Sequence, residues 1–155
     1  PFIDEFYKDE FNQIQKVCGF SEQAKEIVEL VKAMGKLPVL ATNPLFPHTA
    51  TENRMRWAGL EPEMFEAYTT YEDCHFCKPN PKYYLELLDK LGLQPEECIM
   101  VGNDFSEDIL PTESIGMQGF LLTDCLINKN DQDISKYSHG NFEELKNYLK
   151  SVLEK

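Results

Sequence analysis

Asp104 and Asp108 are the residues of this sequence best suited to chemistry. Asp104 follows the apolar run Ile99-Met100-Val101 and a Gly102-Asn103 turn, and Asp108 comes four residues later as a helix begins. Carboxylates there offer the hard oxygen ligands that Mg²⁺ prefers, with the remaining positions of the ion left to water and phosphate. Asp108 is equally explained as a favourable charge at a helix N-terminus. Asp104 has no such ordinary reason to end an apolar run. Thr42-Asn43 ends another, Leu37-Pro38-Val39-Leu40-Ala41. A hydroxyl and an amide can donate to phosphate oxygens together with the N–H groups of the turn. Taken alone, a plain strand-end turn before Pro44 is the commoner explanation. Lys78 is a compact charge that suits a phosphoryl group and can also hold a carboxylate in place, although a solvated lysine ahead of a helix is common. Cys74 and Cys77 flank His75, but no second CxxC accompanies them, so free thiols are favoured over zinc. His48 and His139 read as loop residues.

These groups need elements to position them. The first twenty residues alternate aromatics with acids and predict a helix ending near Gly19. Ser21 is a candidate N-cap for a helix whose apolar positions are Ala24, Ile27, Val28, Val31 and Met34, with Gly35 as the stop. The strand Leu37–Ala41 follows. Thr49-x-x-Glu52 is a capping-box pattern for a helix closed by Gly59. Ala67–Tyr71 predicts a second strand, and Asn80-Pro81 opens a helix with the stripe Tyr84, Leu87, Leu88 and Leu91. Ile99–Val101 is the third strand, Asp108–Ile115 a short helix, and Gly119–Leu122 the fourth strand, ending at Thr123-Asp124. Lys129–Gly140 reads as polar loop. Asn141, with Glu144 three residues on, begins a last helix that buries Phe142, Leu145, Leu149 and Val152.

Strands alternating with helices predict an α/β fold, a Rossmann-like parallel sheet with helices on both faces. Such sheets bind ligands beyond the carboxyl ends of their strands, which is where Thr42, Asn43, Asp104 and Asp108 lie, with Lys78 downstream of the second strand. The expectation is that Thr42, Lys78 and Asp104 converge on one site.

The chain has 155 residues, 42% hydrophobic and 27% charged, with a net charge of −12. That length predicts one core. The charge disfavours nucleic acid as a partner, and no apolar run approaches a membrane span. Five cysteines at irregular spacing fit reduced thiols in the cytoplasm, and the acidic, aromatic N-terminus does not read as a signal peptide.

Taken in order, these pieces resemble the haloacid dehalogenase-like (HAD) superfamily. Thr42-Asn43 after its strand matches the second motif, whose Thr or Ser binds the transferred phosphoryl group. Lys78 ahead of the helix at Pro81 matches the third, whose Lys stabilises the phosphorylated intermediate. Met100-Val101-Gly102-Asn103-Asp104-x-x-x-Asp108 matches the fourth, whose first acid ligates Mg²⁺ and whose second supports that site. The resemblance covers 21–155 as a HAD-like core and leaves 1–20 as the end of a helical cap. It implies a Mg²⁺-dependent phosphohydrolase acting on a small phosphorylated metabolite. An Asp would attack the ester, and the resulting aspartyl phosphate would be hydrolysed. Thr42, Asn43 and Lys78 would bind the phosphoryl group, Asp104 and Asp108 would form the metal site, and Thr42, Lys78 and Asp104 would serve catalysis.

One motif is missing. The family's nucleophile lies on an apolar strand followed by Asp-x-Asp-x-Thr, and no such segment occurs here. In the family that strand lies between those matching Leu37–Ala41 and Ile99–Val101. The chain alone is therefore expected to be inactive, with its sheet incomplete. Either the two inner edges pair directly, a partner segment or second copy fills the slot, or the protein has residues beyond these. The competing reading is a non-catalytic phosphate- and Mg²⁺-binding regulatory domain of the same fold. A receiver domain is disfavoured, because its acids cluster early in the chain.

Overall fold

The computed structural model describes residues 2–153, and side chains from Glu5 onward. The chain divides into two compact units, 1–74 and 75–155.

In the first unit, α1 (Phe2–Lys8) is followed by a 3₁₀ helix at Glu10–Val17. The single helix expected here is thus broken at Asp9. Phe11 is buried, its ring 5.1 Å from Tyr7, 5.6 Å from Phe46 and 5.3 Å from Trp57. That aromatic cluster fixes the tightened turn in place of the smooth helical stripe. Ser21 is the N-cap residue of α2 (Glu22–Ala33), although its side chain makes no capping bond. Gly35, at φ 70°, lets the chain turn back so that its own N–H reaches Lys32 O and that of Lys36 reaches Val31 O. This double closure is the left-handed helix stop that glycine makes cheaply. The strand β1 (Val39–Leu40) then pairs in parallel with β2 (Ala67–Tyr68).

The capping box expected at Thr49 does not form. The helix α3 (His48–Trp57) starts two residues earlier, with Pro47 rather than Thr49 as N-cap. Both carboxylate oxygens of Glu72 accept the His48 N–H at 3.1 Å. Glu52 is engaged instead by Tyr68 Oη at 2.8 Å and Arg56 at 3.1 Å. A cap from 24 residues away has displaced the local one.

In the second unit, Asn80 caps α4 (Pro81–Leu91), its Oδ1 accepting from Lys82 N at 3.0 Å. The central ladder is β3 (Ile99–Gly102), β4 (Gln118–Leu122) and β5 (Ser138–Gly140), all parallel, with β4 in the middle. A five-residue π-helix at Phe105–Ile109 runs straight into α5 (Leu110–Ser114), and α6 (Phe142–Leu153) closes the unit. Side chains alternate across a strand, and β4 uses both faces. On one face Leu121 packs with Phe105 and Ile109. On the other Phe120 meets Tyr148 of α6 at 4.9 Å. Helices therefore cover both faces of this sheet. Each fully buried side chain of that kind contributes about 1.5–3 kcal/mol.

Two expectations need correcting here. The polar stretch Lys129–Gly140 contains β5, because an edge strand can be held by backbone pairing to β4 without an apolar face of its own. The helix expected to start at Asp108 starts at Phe105, for reasons that lie in the site itself. Among the described residues β1 pairs only with β2, and β3 only with β4.

Glu86 on α4 accepts from the backbone N–H of His75 at 3.0 Å, from its ring Nδ1 at 2.7 Å, and from Lys90 Nζ at 2.9 Å. Burial by itself would raise its pKa, but these donors pull it down from 4.5 to about 2. The depressed value stabilises the fold above the ordinary carboxylate range, and that contribution is lost as pH falls toward 2. His75 is 82% exposed, so solvent screens much of it. Glu86→Gln should be about 1–2 kcal/mol less stable than the parent at pH 7. Urea titrations between pH 7 and pH 2 should show the difference vanishing across the acid range.

Candidate functional site

The end of β3 builds the site. Asp104 Oδ1 accepts the N–H groups of Ser106 and Glu107, both at 3.0 Å, and so opens the π-helix at Phe105. Asp108, one turn on, reaches back in two directions. Its Oδ2 accepts the Asp104 N–H at 3.0 Å, and its Oδ1 meets Lys78 Nζ at 2.7 Å. The Lys78 and Asp108 side chains are each only 7% exposed, so this is a buried ion pair. The Lys78 ammonium also lies 5.8 Å from the ring centres of Tyr83 and Tyr84.

Tyr84 is a contributor that the sequence marked only as core. Its hydroxyl donates to Glu107 O at 2.8 Å. Burial first, and then the charges of Asp108, Glu107 and Asp104 together with Tyr83, push its pKa well above the ordinary value, so it stays a neutral donor. Gly102 is a second contributor. A Cβ there would collide with Oδ2, Cβ and Cγ of Asp108.

Lys78, Asp104 and Asp108, 30 residues apart at the extremes, are thus joined into one network. Thr42 and Asn43 lie in the other unit, just past the end of β1. There the carbonyl of Thr42 accepts from Thr69 Oγ1 at 2.6 Å, and that of Asn43 accepts from Leu45 N at 2.8 Å. Among the described residues no group of three or more His, Cys, Asp and Glu side chains is placed to hold a metal by itself. The spacing nearest to the missing nucleophile motif, Asp131-x-Asp133-x-Ser135, follows a polar stretch, and Asp133 Oδ1 merely accepts from Ser135 N at 2.9 Å. No described helix is long and apolar enough to cross a membrane.

Comparison with known proteins places this geometry in a family. Over 72 residues the chain is 35% identical to a glyceraldehyde 3-phosphate phosphatase of Methanothermobacter thermautotrophicus, covering 46% of the chain and 32% of that protein. It is 28% identical over 130 residues to the glyceraldehyde 3-phosphate phosphatase of Methanocaldococcus jannaschii, covering 83% of the chain and 55% of that protein. The chain thus spans roughly half or less of these relatives. The crystal structure of a HAD phosphatase from Thermococcus onnurineus superposes with a TM-score of 0.71 at 22% identity, over 92% of this chain and 64% of that one. The family profile of the haloacid dehalogenase-like hydrolases matches residues 3–116, well over half of the sequence, and the chain belongs to that family.

Proposed function

We propose that the full-length protein is a Mg²⁺-dependent phosphohydrolase acting on a small phosphorylated metabolite. The observation that carries this reading is the buried Lys78–Asp108 pair, whose carboxylate also clamps the backbone of Asp104. The arrangement preorganises one positive charge and one carboxylate, as phosphoryl transfer requires. The phosphatases among the relatives support the reaction class.

The donor set fits Mg²⁺. Asp104 uses Oδ1 as a cap, whereas among the described residues its Oδ2 accepts no hydrogen bond. A single carboxylate is enough for an ion that takes its other ligands from water and substrate phosphate. When bound, Mg²⁺ would neutralise charge developing on the phosphoryl oxygens. Asp104 would hold it, and Asp108 would support that site by keeping Asp104 and Lys78 in place. Lys78, Thr42 and Asn43 would grip phosphoryl oxygens. On this reading 1–20 is the end of a cap and 21–155 the core, and the nucleophilic Asp is supplied from outside these residues. A cytoplasmic location accords with five cysteines at irregular spacing.

The test is a panel of phosphate esters offered to the full-length protein with and without Mg²⁺. Asp104→Asn should lower the Mg²⁺-dependent rate by about 100-fold or more. The fold should survive, because Asn caps a helix as well as Asp does. Unchanged hydrolysis by that variant would sink the assignment.

A further inference from the structure

The polar end of β4 has a task that phosphoryl binding does not use. Asp124 Oδ2 accepts the Phe142 N–H at 2.8 Å, which ties the segment 123–127 to the first turn of α6. The far end of that segment is strapped to the loop carrying Asp104. Asn103 Nδ2 donates to Cys125 O at 2.8 Å. Ile127 N donates to Asn103 O at 2.8 Å, and Phe105 N donates to Ile127 O at 3.0 Å. Asp104 and Ile127 thereby form an isolated parallel bridge.

We propose that Asn103 is a positioning residue for Asp104, acting through this strap. The inference rests on the reading of Asp104 as the side chain that holds Mg²⁺. The backbone around Asp104 is held from two sides. Asp108 takes the N–H of Asp104 itself, and Ile127 takes the carbonyl before it and the N–H after it. The second hold depends on where 125–127 runs. Leu126 and Ile127 are 37% and 40% exposed, so burial does little to place them. Among the described residues the Asn103 amide makes the one side-chain hydrogen bond between the two segments. An amide suits the task because it donates to a carbonyl without adding charge beside Asp104. Groups that orient a metal ligand typically change metal affinity by about 10–100-fold when removed.

The experiment is a Mn²⁺ titration of the full-length protein, with free Mn²⁺ read by electron paramagnetic resonance. Amide hydrogen exchange at Phe105 and Ile127 and the melting temperature are followed alongside. Asn103→Leu, which keeps the bulk and removes the donor, should weaken Mn²⁺ binding about tenfold. It should also speed exchange at both amides. Asn103→Gln, which keeps an amide, should recover part of both effects. If Asn103→Leu does not fold, Asn103→Ser is read in the same way. Unchanged Mn²⁺ affinity overturns the proposal whatever the melting temperature does, because a merely structural bond would move only the latter. Weaker binding without faster exchange at Phe105 and Ile127 overturns it too, since the strap would then not be the route. Asp104→Asn separates the two claims. If that variant binds Mn²⁺ like the parent, the reading of Asp104 falls and this inference with it. If it loses Mn²⁺ while Asn103→Leu does not, the inference alone falls.

Discussion

Lys78→Met should destabilise the chain by about 3–5 kcal/mol, the usual cost of leaving one partner of a buried ion pair unmatched. The methionine keeps the length of the stem and its contact with the Tyr83 and Tyr84 rings. What is lost is the charge opposite Asp108, at a place where both side chains are 7% exposed and water cannot substitute. Asp108 Oδ2 still has the Asp104 N–H, but Oδ1 loses its 2.7 Å partner. The double variant Lys78→Met/Asp108→Leu removes the stranded charge and leaves the Asp104 N–H without its carboxylate acceptor, which costs about 1–3 kcal/mol. It should therefore be more stable than Lys78→Met alone, so that a second mutation rescues the first. Urea unfolding of the parent, both single variants and the double variant measures the cycle. A Lys78→Met variant within about 1 kcal/mol of the parent would mean that the pair behaves like an exposed one. The position of Lys78 as clamp and charge source would then have to be abandoned.

How much of this could be read beforehand depends on the distance over which each partner acts. The strands at Val39–Leu40, Ala67–Tyr68, Ile99–Gly102 and Gln118–Leu122 show as short runs rich in apolar, aromatic and β-branched residues, the residues that suit a pleated, half-buried surface. The caps at Asn80 and Asn141 were equally visible, since their partners lie within three residues. The cap that Glu72 gives His48 was not, and neither was β5, whose polar residues are held by backbone pairing alone. At the site, Asp104 stands out as an acid ending an apolar strand. The bond that makes Asp108 useful runs to Lys78, 30 residues upstream, and nothing in the local spacing announces it. Family resemblance marks both residues, and the buried 2.7 Å bond between them is what joins them. Asn103 and Ile127 gave no local signal, because a strap between two loops has no periodicity. Thr123-Asp124 did stand out as a polar strand end, yet Asp124 caps α6.

Gly102→Ala should be far more damaging than Gly119→Ala, although both glycines lie in neighbouring strands of one ladder and neither has a positive φ. Backbone conformation therefore does not separate them. Their surroundings do. A methyl at Gly119 would meet Ile109 Cδ1 at 3.2 Å, the far end of a flexible side chain that can swing by a few tenths of an ångström. Its expected cost is about 1 kcal/mol or less. A methyl at Gly102 would run into the Cβ, Cγ and Oδ2 of Asp108 together, which leaves no rotamer by which the carboxylate can step aside and keep its bonds. Either the turn shifts or Asp108 lets go of Lys78 and of the Asp104 N–H. Overpacking costs about 1–3 kcal/mol, and partial loss of the buried pair adds to it. The expected total is about 3–5 kcal/mol by urea unfolding of the two variants side by side. In the full-length protein a displacement of about 1 Å at the Asp104 loop should lower the rate of phosphate ester hydrolysis by about 100-fold, against less than threefold for Gly119→Ala. Equal losses in the two variants would show that the glycine at 102 is needed for the strand and not for the approach of Asp108.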